Sequence, residues 1–149
     1  MSRDHSRMMK TILDEFMPHF SPNSHVIYVG ETGDKRRYFD EAALESLGVS
    51  TGIENEMPDV VIHHAEKNRL FLVDAITGRG PIDSRRRREL VVLFQNSSAG
   101  LIFITAFLTH SEMAKYVGEI SWETEVWVQE ASTHLIHFDG ERFLGPYTT

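Results

Sequence analysis

The chain contains no cysteine, which excludes disulfides, thiolate metal sites and a cysteine nucleophile together. It has no apolar run of membrane-spanning length, and its opening, MSRDHSRMMK, lacks the apolar stretch of a secretory signal. A cytoplasmic protein with no membrane partner is therefore expected. Internal repeats and low-complexity linkers are missing too, so the 149 residues read as one domain, long enough to bury a full core. A basic surplus is also lacking. The formal net charge of −7 argues against a general polyanion binder. What positive charge there is falls in two clusters, Lys35, Arg36 and Arg37 and then Arg85, Arg86, Arg87 and Arg88. That distribution fits a site where phosphate meets bound cations, and equally a solvated, salt-bridged surface. The glycine-bracketed string GETGDK, residues 30–35, lacks the Walker spacing, so no nucleotide cofactor is expected.

What is present is a mixed pattern of periodicities. Met9, Ile12, Leu13, Phe16 and Met17 recur at helical spacing up to Pro18, which predicts an amphipathic helix ending there. HVIYV, residues 25–29, reads as a strand. Phe39, Ala42, Ala43, Leu44 and Leu47 predict a second helix stopped by Gly48. Residues 59–63 and 69–77 read as strands, and the short polar link AEKN between them implies an antiparallel hairpin. A helix over 83–95 follows, capped by Asp83 or Ser84, with Leu90, Val91, Leu93 and Phe94 as its apolar side. GLIFITAF, residues 100–107, is apolar throughout and predicts a central strand covered on both faces. Residues 111–120 look helical, 125–129 and 134–138 look like strands, and Asp139-Gly140 signals a hairpin with 141–144 returning. The sum is an α/β fold, a mixed central β-sheet flanked by helices. Trp122 and Trp127 read as core aromatics. His63 and His64 are adjacent on a strand, so they point to opposite faces and cannot share one ion.

Two acids interrupt this apolar frame. Asp59 opens one strand of the predicted hairpin, and Asp74 lies near the end of the other, directly after LFLV. Antiparallel pairing sets them side by side. The strand period of two places Asp74 with Leu72 and Ile76, and Phe71, Val73 and Ala75 on the opposite face. Converging carboxylates repel, and a hard divalent cation relieves the repulsion; Mg²⁺ takes one or two carboxylates, waters and substrate phosphate. That chemistry suits phosphodiester hydrolysis, because such an ion acidifies water and neutralises charge on phosphoryl oxygens. The alternative is structural, with Asp59 ending a turn after Met57-Pro58 and Asp74 paired with a nearby arginine. Arg86 and Arg87 precede Leu90 and Val91 by four residues and so lie beside the buried side of their helix, while Arg85 and Arg88 angle outward.

The strings YVGETGDK, YFDEAALESLGV, MPDVV, LFLVDAITGRGPI, GLIFITAF, YVGEISWETEVW and IHFDGERFLGPY resemble, in the same order and at similar spacing, the catalytic domain of BsuBI/PstI-type restriction endonucleases. The resemblance runs from about residue 10 to residue 147. It implies a PD-(D/E)XK restriction-endonuclease-like fold with a metal site on a β-hairpin. It also implies a type II restriction endonuclease, Mg²⁺-dependent, cutting double-stranded DNA at a short palindrome as a homodimer. Carried over, Asp59 takes the place of the first acid and Asp74 that of the second, where relatives usually have glutamate. The position normally held by lysine is Ile76, which cannot supply a cation, and Arg86 is the expected replacement. The Ala75 carbonyl is an expected further metal ligand and Glu89 a further carboxylate, with Lys35, Arg36, Arg85 and Arg87 as contacts to DNA. The family's further N-terminal DNA-binding domain is expected to be absent, with residues 1–149 read as a single nuclease domain and 1–9 expected to be flexible. A catalytically weak or inactive DNA-binding domain is the alternative reading.

Overall fold

The computed structural model describes residues 3–30, 38–50 and 56–140. Its centre is a mixed seven-stranded sheet in the order β2-β1-β3-β4-β5-β6-β7. The strands are β1 His25–Val29, β2 Tyr38–Phe39, β3 Val60–His64, β4 Arg69–Ala75, β5 Gly100–Phe107, β6 Thr124–Val128 and β7 Leu135–Phe138. The pairs β4–β5 and β5–β6 are parallel, and the remaining neighbours are antiparallel. The apolar string at 100–107 is thus a central strand, as its composition predicts. The helices are α1 Arg3–Thr11, α2 Met17–Phe20, α3 Glu41–Ser46, α4 Ser84–Leu93 and α5 His110–Tyr116. Among the described residues, no helix is long and apolar enough to cross a membrane.

Strand β4 divides the core. Leu70 and Leu72 pack on one side with Ile82, Leu90 and Phe94 from the α4 region. Phe71, Val73 and Ala75 pack on the other with Met8, Met9, Ile12, Phe16 and Trp127. The period of two that produces this division also fixes which way Asp74 points: with Leu72, toward α4. Helix α4 is in turn tied to the sheet through its leading segment. Ile82 N–H donates to Thr105 Oγ1 at 3.0 Å, and Ser121 N–H donates to the Ile82 carbonyl at 2.9 Å.

Several elements depart from expectation. The opening residues, expected to be flexible, are helical from Arg3 onward, with His5, Met8 and Met9 buried. The helix does not stop at Pro18. A π-helical turn, Ile12–Phe16, intervenes, and Met17 N–H donates to the Ile12 carbonyl. This wider turn lets Pro18, which has no N–H, sit in the first turn of α2, where none is needed. Phe39 lies in β2, opposite Tyr28, and not in a helix. The helix starts only after Asp40, whose carboxylate accepts the Ala43 N–H at 3.1 Å. Val91 and Val92 are exposed, so the apolar side of α4 is narrower than its composition suggests. Trp127 is fully buried, but Trp122 is 65% exposed. The return strand expected at 141–144 lies outside the described residues.

Asp40 also accepts from His25 Nε2 at 2.6 Å. The histidine hydrogen bond, followed by the Ala43 N–H, holds its carboxyl below the usual aspartate value. A folded-state pKa lowered in this way contributes stability above the ordinary value of 3.8, lost as the pH falls through the folded value. Asp40→Ala is therefore expected to lower Tm at neutral pH, with the gap from wild type closing as acid protonates the carboxyl. Thermal melts of both proteins across this range measure it; a gap that does not change with pH would contradict the assignment.

Candidate active site

The hairpin register continues past Val60↔Val73 to bring Asp59 opposite Asp74. The contact is direct: Asp59 N–H donates to Asp74 Oδ1 at 3.4 Å. The Asp59 side chain turns toward the chain leaving β4, and its Oδ2 accepts the Ala75 N–H at 2.9 Å and the Arg79 N–H at 3.2 Å. That segment folds back at once, because the Ala75 carbonyl accepts from Gly78 N–H at 2.9 Å and Gly80 N–H at 3.3 Å. Gly80 has φ +87, which a glycine adopts without strain. Gly78 is required for a different reason: a Cβ there would lie 2.6 and 2.8 Å from the two Asp59 oxygens.

Asp74 is completely buried. Arg86 meets it, Nε to Oδ2 at 2.7 Å and Nη2 to Oδ1 at 3.4 Å. The same guanidinium donates through Nη1 to Glu89 Oε1 and through Nη2 to the Met57 carbonyl at 3.4 Å. The aim of Arg86 follows from how α4 starts. Asp83 caps the helix, and its carboxylate accepts the Arg86 N–H at 2.8 Å, so Arg86 occupies the first turn above the end of β4. Burial pushes the Asp74 carboxyl above the ordinary aspartate value, and the hydrogen bond and charge of Arg86 pull against it. Burial acts to lower the Arg86 pKa, but hydrogen bonds and charge from Asp74 and then Glu89 outweigh it, and the guanidinium stays charged.

The expected site residues are thus partly gathered. Asp59, Asp74, Arg86 and Glu89 come together at one end of the hairpin. The Ala75 carbonyl carries two backbone hydrogen bonds, which it would have to give up to serve as a ligand. Arg85 is exposed and lines an open cleft of about 310 Å³ with Arg79, Arg86, Glu89 and Glu119. Arg87 is directed elsewhere, over the Phe103 ring at 5.1 Å from its centroid. Lys35 and Arg36 lie outside the described residues. His63 and His64 are hydrogen-bonded locally, to Asn68 Oδ1 and to the Lys67 N–H.

Residues that sequence reasoning missed also reach the site. His5, from α1, is buried with its Nδ1 2.9 Å from Thr77 Oγ1. A signal existed: His5, Met8, Met9 and Ile12 share the i, i+3, i+4, i+7 spacing of one helix face. Gly78 and the Arg79 N–H complete the surround of Asp59.

Among the described residues, no three His, Asp or Glu side chains form a ready-made metal cage. The donors suit a hard divalent cation nevertheless. They are all oxygens, Asp59 Oδ2 takes both of its N–H bonds and leaves Oδ1 for another partner, and Gly78 leaves the space beside the carboxylate that a Cβ would fill. Asp59 and Asp74 would hold such an ion, with Glu89 next to them across Arg86.

Comparison with known proteins identifies relatives along nearly the whole chain. The family model of the BsuBI/PstI restriction endonuclease domain matches residues 1–141. The chain is 51% identical over 144 residues to the type II restriction enzyme BsuBI of Bacillus subtilis, covering 97% of this chain and 46% of that enzyme. It is 31% identical to the type II restriction enzyme AplI of Arthrospira platensis, covering 92% of this chain and 44% of that enzyme. The solved structure of SdaI restriction endonuclease superposes with a TM-score of 0.87 at 39% identity, over 97% of this chain and 46% of that one. The chain spans less than half the length of these relatives. The mixed sheet with its flanking helices is accordingly a PD-(D/E)XK restriction-endonuclease-like fold. With a family model over nearly all its length and these relatives beside it, the chain belongs to the BsuBI/PstI restriction endonuclease family.

Proposed function

We propose that this domain hydrolyses phosphodiesters of double-stranded DNA as a type II restriction endonuclease, with Mg²⁺ as cofactor. The observation that carries the reading is Asp59 beside Asp74 at the end of one hairpin, with Arg86 reaching in from the following helix. Restriction endonucleases generally use a divalent metal, and Mg²⁺ suits two carboxylates with open positions left for water and phosphate. When bound, such an ion acidifies water and neutralises charge on the phosphoryl oxygens.

The chain's own residues divide the remaining work. Asp59 and Asp74 hold the ion. Arg86 replaces the lysine that Ile76 cannot be: it stays charged, so it stabilises a developing phosphoryl anion and does not act as a general base. Arg85 and Arg79, on the rim of the cleft, give the DNA backbone a positive approach. Cutting both strands of a palindrome calls for two copies related by a two-fold axis, so the working form is a homodimer.

The test is incubation of plasmid DNA with the protein and Mg²⁺, followed by sequencing of the ends. Uniform ends at one short palindrome, abolished by chelator, are the expected result. A second reading is favoured by Arg86 already occupying Asp74: a weak or inactive domain that binds DNA. A salt-dependent gel shift without cleavage in Mg²⁺ or Mn²⁺ would establish that reading and reject the first.

A further inference from the structure

Helix α1 and the π turn that follows it present an apolar face of Met8, Met9, Ile12 and Phe16 to the sheet. One buried position on that face is polar. His5 is 2% exposed, and a buried imidazole costs free energy unless its nitrogens are bonded. An apolar side chain would continue the pattern of Met8 and Met9 at lower cost. The imidazole instead meets the segment that surrounds Asp59: Nδ1 is 2.9 Å from Thr77 Oγ1. Its Cε1 and the Asp59 carboxylate crowd the same face of Gly78, since a Cβ there would be 2.5 Å from Cε1 and 2.6 Å from Asp59 Oδ2. Residues 77–79 thus meet the imidazole at Thr77 and Gly78 and the carboxylate at Gly78 and Arg79, whose N–H bonds Asp59 Oδ2 at 3.2 Å.

We infer that His5 is a positioning residue for the metal-binding carboxylate. It acts through Thr77 and the backbone of Gly78 and Arg79 to hold Asp59 in the orientation that leaves Oδ1 toward an ion. This rests on the proposed role of Asp59 as a ligand. It assigns to the N-terminal helix a part in the site that the hairpin motif does not include. Removing groups that orient metal ligands typically weakens metal binding by about 10–100-fold, and an effect of that size is expected here.

The experiment is calorimetric titration with Ca²⁺, a hard oxygen-seeking ion, at a temperature where every variant is folded, with no DNA present. His5→Ala and Thr77→Val should each weaken Ca²⁺ binding by about tenfold, and the double variant no further, because both remove one contact. His5→Asn, whose side-chain amide falls near the Nδ1 position, should restore most of the affinity. Met9→Ala, a core truncation on the same helix face, should lower Tm and leave Ca²⁺ binding unchanged. Thr77→Val gives the answer if His5→Ala does not fold. Wild-type affinity in Thr77→Val, or equal losses in His5→Ala and Met9→Ala, would overturn the inference alone. Absence of Ca²⁺ binding by the wild-type protein would overturn it together with the proposed metal site.

Discussion

Asp74→Ala is expected to abolish DNA cleavage and to cost the fold about 3 kcal/mol. The carboxylate is completely buried, and the Arg86 side chain is only 11% exposed. Deleting one member of a buried ion pair leaves the other without compensation, at a cost of roughly 3–5 kcal/mol. Glu89, 40% exposed, still holds one end of the guanidinium, so the lower end of that range applies. For a chain of 149 residues this corresponds to a Tm lowered by roughly 6–12 °C. The companion variant separates the two effects. Asp74→Leu combined with Arg86→Met puts apolar groups of similar size where the pair stood, and such exchanges are often neutral or stabilising. The double variant should melt near wild type and cut no DNA. Differential scanning calorimetry with plasmid cleavage on both proteins gives the answer. A double variant as unstable as Asp74→Ala would show that the pair is not the source of the loss, and wild-type cleavage by Asp74→Ala would remove Asp74 from the site.

The same pair shows how far the sequence could be read. The hairpin was legible because two short runs of strand character flank a polar link of four residues, AEKN. The register then follows from the turn, and the register alone sets Asp59 against Asp74. The inward aim of Arg86 was legible too, through its spacing of four from Leu90, although the same rule put Arg87 on the site side. In the fold Arg87 stacks on Phe103, because adjacent helical residues diverge by about 100° and only one of them can face the end of β4. Both readings of Asp74 apply at the level of geometry: it neighbours a second acid and it pairs with an arginine.

Local patterns failed where tertiary contacts decide. Pro18 read as a stop, but a π turn ahead of it changed the hydrogen-bond register and let the helix continue. Trp122 read as core by residue type, yet its position after the anchored Ser121 leaves it outside. The contact of His5 with Thr77 spans 72 positions and leaves no trace in any local window, even though the helix face that carries His5 can be counted from the spacing.

Asp59→Asn should lower cleavage by about a thousandfold while leaving the fold nearly intact. The amide has the carboxylate's shape, and its oxygen can still accept the Ala75 and Arg79 N–H groups, so the segment around it persists and Tm should move little. The charge is gone, however. Losing about 4 kcal/mol of the stabilisation a bound divalent ion gives the transition state corresponds to about three decades in rate. Gly78→Ala makes the complementary change. It keeps the charge but sets a Cβ 2.6 and 2.8 Å from the Asp59 oxygens, so the carboxylate must shift. A misplacement of about 1 Å can cost roughly a hundredfold. Cleavage rates and Ca²⁺ affinities of both variants, with melting curves to confirm folding, distinguish charge from placement. The asparagine variant should lose ion binding outright, and the alanine variant should keep it in weakened form. An asparagine variant that cuts at the wild-type rate would take Asp59 out of the metal site.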